Sequence, residues 1–131
     1  MNQSSILMVE GERPPLGVLV FFDGYRVVLD RSVVIGRTAE AEIGKSRTAM
    51  GLSLGDYAQF LSIKHATLSL EKWDVTIVDH GSTNGTSLYD ATRHRWHRLA
   101  PNRPYTLTPG ASIAFGRYVG LFQSSLRPQV A

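Results

Sequence analysis

Asp79-His80-Gly81-Ser82-Thr83-Asn84-Gly85-Thr86 lies between two short apolar-rich runs. Asn84-Gly85 is the strongest two-residue hairpin signal in the chain, because both residues tolerate the positive φ that tight primed turns demand. Ser82, Thr83, Asn84 and Thr86 crowd hydroxyl and amide groups around that turn. A rigid tip of small donors and acceptors suits an oxygen-rich anion or an extended peptide. The same residues also make an ordinary polar turn.

Outward from this tip the chain reads as short strands. Upstream, Ala66, Leu68 and Leu70 alternate with polar residues, Lys72-Trp73 starts a turn, and Val75 and Ile77 face inward on the returning strand. Downstream, Ser87-Leu88-Tyr89 leaves the tip as a strand. Earlier, Leu16–Phe22 and Tyr25–Leu29 flank Asp23-Gly24 as a hairpin, and Val33-Val34-Ile35 runs into Gly36-Arg37. Residues 38–61 have no clean period. A short strand at Leu52-Ser53-Leu54 and short helical turns around Ala39–Ile43 or Asp56–Leu61 fit them. Trp96 and Leu99 suggest a partly packed strand. Pro109-Gly110 turns the chain into Ser112–Phe115, and Gly116-Arg117 into Tyr118–Phe122. Ten or eleven short strands with little or no helix predict an all-β fold, an antiparallel β-sandwich whose loops at one end carry function. The expected boundaries are a flexible leader over 1–15, one domain over 16–124, and a tail over 125–131.

Composition narrows the classes of function. The chain has 131 residues, 43% of them hydrophobic, enough for one ordinary core. Its net charge is only +3, which argues against a nucleic-acid binder. It has no cysteine, so disulfides, thiolate catalysis and Cys-ligated zinc are excluded, and a reducing, cytoplasmic setting fits. No apolar run is long enough for a membrane helix. Ile6–Val9, with no basic residue before it, is not a signal peptide.

Several chemical motifs fail on their surroundings. Gly44-Lys45-Ser46 resembles the end of a phosphate-binding P-loop, but the glycine required five positions earlier is Ala39. Gly81–Gly85 has the spacing of a nucleophile elbow with Thr83 at its centre, but a strand, not a helix, is expected to follow. Ser62, His65 and Asp79 form a conceivable hydrolytic triad with no glycine pair to poise the serine. His94 and His97 fall on opposite faces of a strand and lack a third ligand, so no metal is expected. Arg93, Arg95, Arg98 and Arg103 read as a solvated segment.

Taken together, Gly36-Arg37, Ser62-Ile63-Lys64-His65 and Ser82-Thr83-Asn84-Gly85-Thr86 resemble the Gly-Arg, Ser-x-x-His and Ser-x-Asn-Gly-Thr motifs of the forkhead-associated (FHA) family. These are small β-sandwich modules that bind phosphothreonine peptides. Leu107, Gly110, Ile113 and Phe115-Gly116 fit the family's closing strands, and the resemblance, most like bacterial members, covers about residues 16–124.

The resemblance implies a phosphopeptide site made of Arg37, Ser62, Lys64, Thr83 and Asn84. Arg37 would meet two phosphate oxygens with a full charge. Ser62 and Thr83 would donate hydroxyls, Lys64 would add a second cation, and Asn84 would bond the peptide backbone. Gly36, His65, Gly85 and Thr86 would shape the loops. Ile63 stands where the family often places Arg or Asn, and 38–61 is a long separation of the first two motifs. The implied function is phosphothreonine recognition in Ser/Thr kinase signalling, without catalysis or cofactor. The implied partner is a threonine-phosphorylated protein, either a kinase substrate or the kinase itself, and not nucleic acid or membrane. The alternatives are a phosphate-independent interaction module of the same fold and, less favoured, a small serine hydrolase.

Overall fold

The computed structural model describes residues 14–125. The expected leader up to residue 13 and the expected tail from residue 126 lie outside the described residues. The described residues form eleven strands in two sheets. They are β1 (Gly17–Phe21), β2 (Arg26–Val28), β3 (Ser32–Ile35), β4 (Ala49–Leu52), β5 (Ala66–Glu71), β6 (Asp74–Asp79), β7 (Thr86–Asp90), β8 (Arg95–Arg98), β9 (Tyr105–Thr106), β10 (Ser112–Phe115) and β11 (Tyr118–Ser124). One sheet has the order β2-β1-β11-β10-β7-β8 and the other β4-β3-β5-β6-β9.

Period-two alternation buries one face of each sheet against the other. Leu19 and Phe21 of β1, Val33 and Ile35 of β3, Leu68 of β5, Val75 and Ile77 of β6, and Ile113 and Phe115 of β10 all point inward. Leu99 is buried, whereas β8 is exposed along its length. Trp96 is therefore not packed in the core; it keeps 43% of its surface and meets Tyr89 edge-on at 5.4 Å. Tyr118 stacks between Phe21 and Tyr57, with ring centroids 4.2 Å away on either side.

Three expectations need correction. The sandwich is antiparallel except at β3–β4, which pair in parallel from Ser32↔Ala49 to Ile35↔Leu52. A parallel pair needs a long crossover, and residues 36–48 supply it with a short helix, α1 (Ala39–Ile43). The strand in this segment is Ala49–Leu52, not Leu52–Leu54; Leu54 takes φ 61° and caps a 3₁₀ helix over Gly55–Phe60. The long stretch between the first two motifs is thus a helix, an edge strand and a second helix.

The third correction concerns Asn84-Gly85, which joins no hairpin. β6 lies in one sheet and β7 in the other, paired with β8 and β10. Of the two residues only Gly85 has positive φ, at 84°. Residues 80–85 cross the end of the sandwich.

Phe115 has no exposed surface, and its ring lies 6.1 Å from that of Phe21 and 6.4 Å from that of His65. Phe115→Ala is expected to destabilise the domain by about 3–5 kcal/mol. Urea unfolding measures this, and a loss below about 1 kcal/mol would mean that this part of the core collapses around the gap.

Candidate functional site

Three loops meet at the end of the sandwich where β3 and β6 finish. Arg37 follows β3, and its backbone N–H donates to the carbonyl of Ser62 at 3.0 Å. Gly36 is a point of close approach: a Cβ there would overlap the carbonyl oxygen of Ile63, so no larger residue lets these loops touch. The Arg37 Nε–H donates to the carbonyl of Leu61 at 3.0 Å, which fixes the guanidinium plane and leaves both terminal amino groups without a hydrogen bond among the described residues.

The second loop is held to the third by small polar contacts. Ser62 Oγ accepts the N–H of Thr83 at 2.8 Å, so its own O–H remains a donor. The Asn84 side-chain amide donates to the carbonyl of Phe60 at 2.8 Å, leaving its carbonyl oxygen as an acceptor. The Thr83 hydroxyl and the Lys64 ammonium engage no described residue by hydrogen bond or ion pair, and both side chains are exposed. Lys64 lies close enough to His80 for its charge, after burial, to lower that histidine's pKa. Ile63 is 57% exposed, so β5 starts after it and residues 62–64 belong to the loop.

Beneath these exposed groups lie two buried polar knots. His65 is fully buried. Its Nδ1 accepts the N–H of Ser62 at 3.2 Å, which makes Nε2 the protonated nitrogen that donates to the carbonyl of Gly85 at 3.0 Å. Burial pushes the His65 pKa below its ordinary value, against the opposing effects of the Gly85 carbonyl and the Asp79 charge. Asp79 is the second knot. It continues the inward face of β6 after Val75 and Ile77, so its carboxylate needs partners. It accepts from Ser82 Oγ at 2.5 Å, Thr86 Oγ1 at 2.7 Å, and the N–H groups of Gly81 and Ser82 at 2.9 and 3.0 Å. Burial raises its pKa, but these four donors outweigh that and hold it below the usual carboxylate value.

The fold therefore brings together Arg37, Ser62, Lys64, Thr83 and Asn84 around one rim, over His65, Asp79 and Thr86. It does not assemble a hydrolytic triad: His65 engages the backbone of Ser62 rather than its hydroxyl, and Asp79 is engaged by Ser82 and Thr86. Gly44 ends α1, and no helix starts after Lys45-Ser46 as a P-loop requires. Sequence reasoning missed Arg98. Its Nη2 donates to the carbonyls of Ser82 at 3.2 Å and Thr83 at 3.3 Å, bracing the third loop from β8. A Cβ at Gly85 would come within 2.7 Å of this guanidinium, a second reason for glycine there.

The sequence matches the FHA domain family over residues 33–116, and the chain belongs to that family. It is similar in structure to the FHA domain of an Arabidopsis thaliana hypothetical protein (TM-score 0.62, 23% identity, 95% of this chain and 98% of that one). It is similar also to the FHA domain of human APLF, solved in complex with an XRCC1 bisphospho peptide (TM-score 0.63, 25% identity, 83% of this chain and 98% of that one). It covers 94% of itself but 28% of Mycobacterium tuberculosis EmbR, solved in complex with a low affinity phosphopeptide (TM-score 0.60, 21% identity). No curated protein sequence matches it significantly.

The His65 bonds require the neutral ring, so the unfolded chain protonates first as pH falls. The contribution of His65 to stability is complete above the unfolded value of 6.5 and is lost as pH drops through the lower folded value. NMR titration of this ring is expected to give a midpoint below 6.5, with unfolding midpoints declining over the same range. A midpoint at or above 6.5 would contradict the buried neutral clamp.

Proposed function

We propose that the domain recognises phosphothreonine in partner proteins and thereby connects them in Ser/Thr kinase signalling, binding without catalysing. One observation carries this reading. Five groups from three chain-distant loops face one rim with their ligand-directed atoms unengaged: the Arg37 amino groups, the Ser62 and Thr83 hydroxyls, the Lys64 ammonium and the Asn84 carbonyl oxygen. A phosphate of about −1.5 to −2 charge with three acceptor oxygens matches four donors, two of them cationic. The Asn84 carbonyl oxygen is left for a peptide N–H, which every partner sequence provides. The phosphopeptides held by APLF and EmbR support the same reading. The partner is a kinase substrate or the kinase itself, in the cytoplasm.

Arg37 contributes the charge that the site most needs. A charge-assisted hydrogen bond contributes about 1.5–3 kcal/mol, so Arg37→Ala is expected to weaken phosphothreonine-peptide binding at least about 10-fold with unfolding unchanged. Calorimetry on both proteins, with the unphosphorylated peptide as control, provides the test. Equal affinity for phosphorylated and unphosphorylated peptides would establish the phosphate-independent alternative.

Ile63 projects from the loop beside Lys64, where a longer cation has room. Ile63→Arg is expected to tighten binding at low salt and to lose that gain at high salt, as charges in water are screened over about 8–10 Å. Titrations at two ionic strengths read this out. A folded mutant that binds no tighter at low salt would show that the side chain points away from the phosphate.

A further inference from the structure

A concavity of about 400 Å³ lies near these loops. Asp23 and Tyr25 wall it from the β1–β2 turn, Glu40 from α1, Asp56 and Tyr57 from the 3₁₀ helix, and Tyr118 from the start of β11. Its charge is opposite to that of the chain as a whole: three carboxylates and no cation line it, while the net charge is +3. Hydrogen bonds orient two of the three without neutralising them. Asp23 accepts the Tyr118 hydroxyl on both oxygens, at 2.9 and 3.0 Å, and Glu40 accepts the N–H of Ser53 at 3.0 Å. None of the three is in an ion pair among the described residues. Phenol rings complete the walls, with Tyr25 44% exposed.

This lining discriminates between occupants. An acidic side chain would be repelled, and an aliphatic one would leave three carboxylates without a counter-charge. A lysine or arginine satisfies both elements, its charge meeting the carboxylates and its stem lying on the rings.

The elements that line the groove also lead to the loops of the rim. Tyr57 shares the 3₁₀ helix with Phe60, whose carbonyl holds Asn84. Tyr118 follows Gly116, where a Cβ would lie 3.5 Å from that of Asn84. Glu40 follows Arg37 through the first turn of α1. A 3₁₀ helix rises about 2 Å per residue, so Tyr57 and Phe60 stand about 6 Å apart along it, roughly two residues of extended peptide.

We propose that this groove is a subsite for one lysine or arginine side chain of the bound phosphopeptide, a few residues from the phosphothreonine. The proposal rests on the phosphopeptide reading above. It makes the preferred ligand bipolar, with its phosphate on the basic rim and its cation in the acidic groove.

The test is a set of phosphothreonine peptides in which a single arginine is moved through each flanking position of an alanine background, each with an unphosphorylated control. Binding is measured by fluorescence anisotropy to the wild type, Asp56→Lys and Tyr25→Ala. Asp56 is chosen because it is exposed and hydrogen-bonds to no described residue. One arginine register is expected to bind about fivefold tighter than the all-alanine phosphopeptide. That gain should vanish in Asp56→Lys and shrink in Tyr25→Ala. Phosphopeptides that bind equally at every arginine position overturn the subsite and leave the phosphate reading standing, as does a gain that survives both substitutions. A series in which no phosphopeptide outbinds its unphosphorylated control overturns both.

Discussion

The neutral imidazole of His65 ties the three loops into one surface. Its ring accepts the N–H of Ser62 and donates to the carbonyl of Gly85, while its own N–H reaches the carbonyl of Ile35 and its carbonyl takes the N–H of His80. Four bonds from one buried residue join the end of β3, the loop before β5 and the crossing after β6. The ring cannot keep both its acceptor and its donor bond when it is charged, and burial keeps it neutral. The rim above is therefore held from beneath by a group with no exposed surface of its own.

Asp79 plays a complementary part. Three of its four donors come from the loop it initiates and the fourth from Thr86 at the start of β7, so the carboxylate folds that loop over itself. The polar groups of this apex thus divide sharply. Those that hold the loops are mutually satisfied and mostly buried; those at the rim keep their outward atoms unengaged. That division makes a rigid site with little to reorganise on binding.

Strand alternation in Ala66–Glu71 and Asp74–Asp79 is legible in the sequence because one face of each packs on the core, fully at Ala66, Leu68, Val75, Ile77 and Asp79 and partly at Leu70. The motif residues are legible because each needs a chemistry that few side chains offer: no Cβ at Gly36, a planar cation at Arg37, a short hydroxyl at Ser62. The parallel edge strand β4 is not legible. It is four residues long, includes Gly51, and gains its place from the crossover through α1 rather than from any period. Asn84-Gly85 carries a true local signal, positive φ, which the structure uses at Gly85 alone. Whether the next strand returns to β6 or crosses to the other sheet is decided by pairing with β10, far along the chain. Arg98 resembles Arg93, Arg95 and Arg103 in sequence. Only its pairing opposite Ser87, beside the third loop, sets it apart.

The pairing of β1 with β11 has an architectural consequence. Gly17 lies opposite Ser124, and the N–H of Ser125 bonds to the carbonyl of Leu16, so the two ends of the described residues come together at one corner. β1 then runs from that corner toward Asp23, and the opposite end of the β1–β11 ribbon borders the acidic groove. Sequence spliced on at both ends would leave side by side, a strand's length from the groove. The unit has the geometry of a plug-in cassette, suited to insertion within a longer polypeptide as readily as to tandem joining.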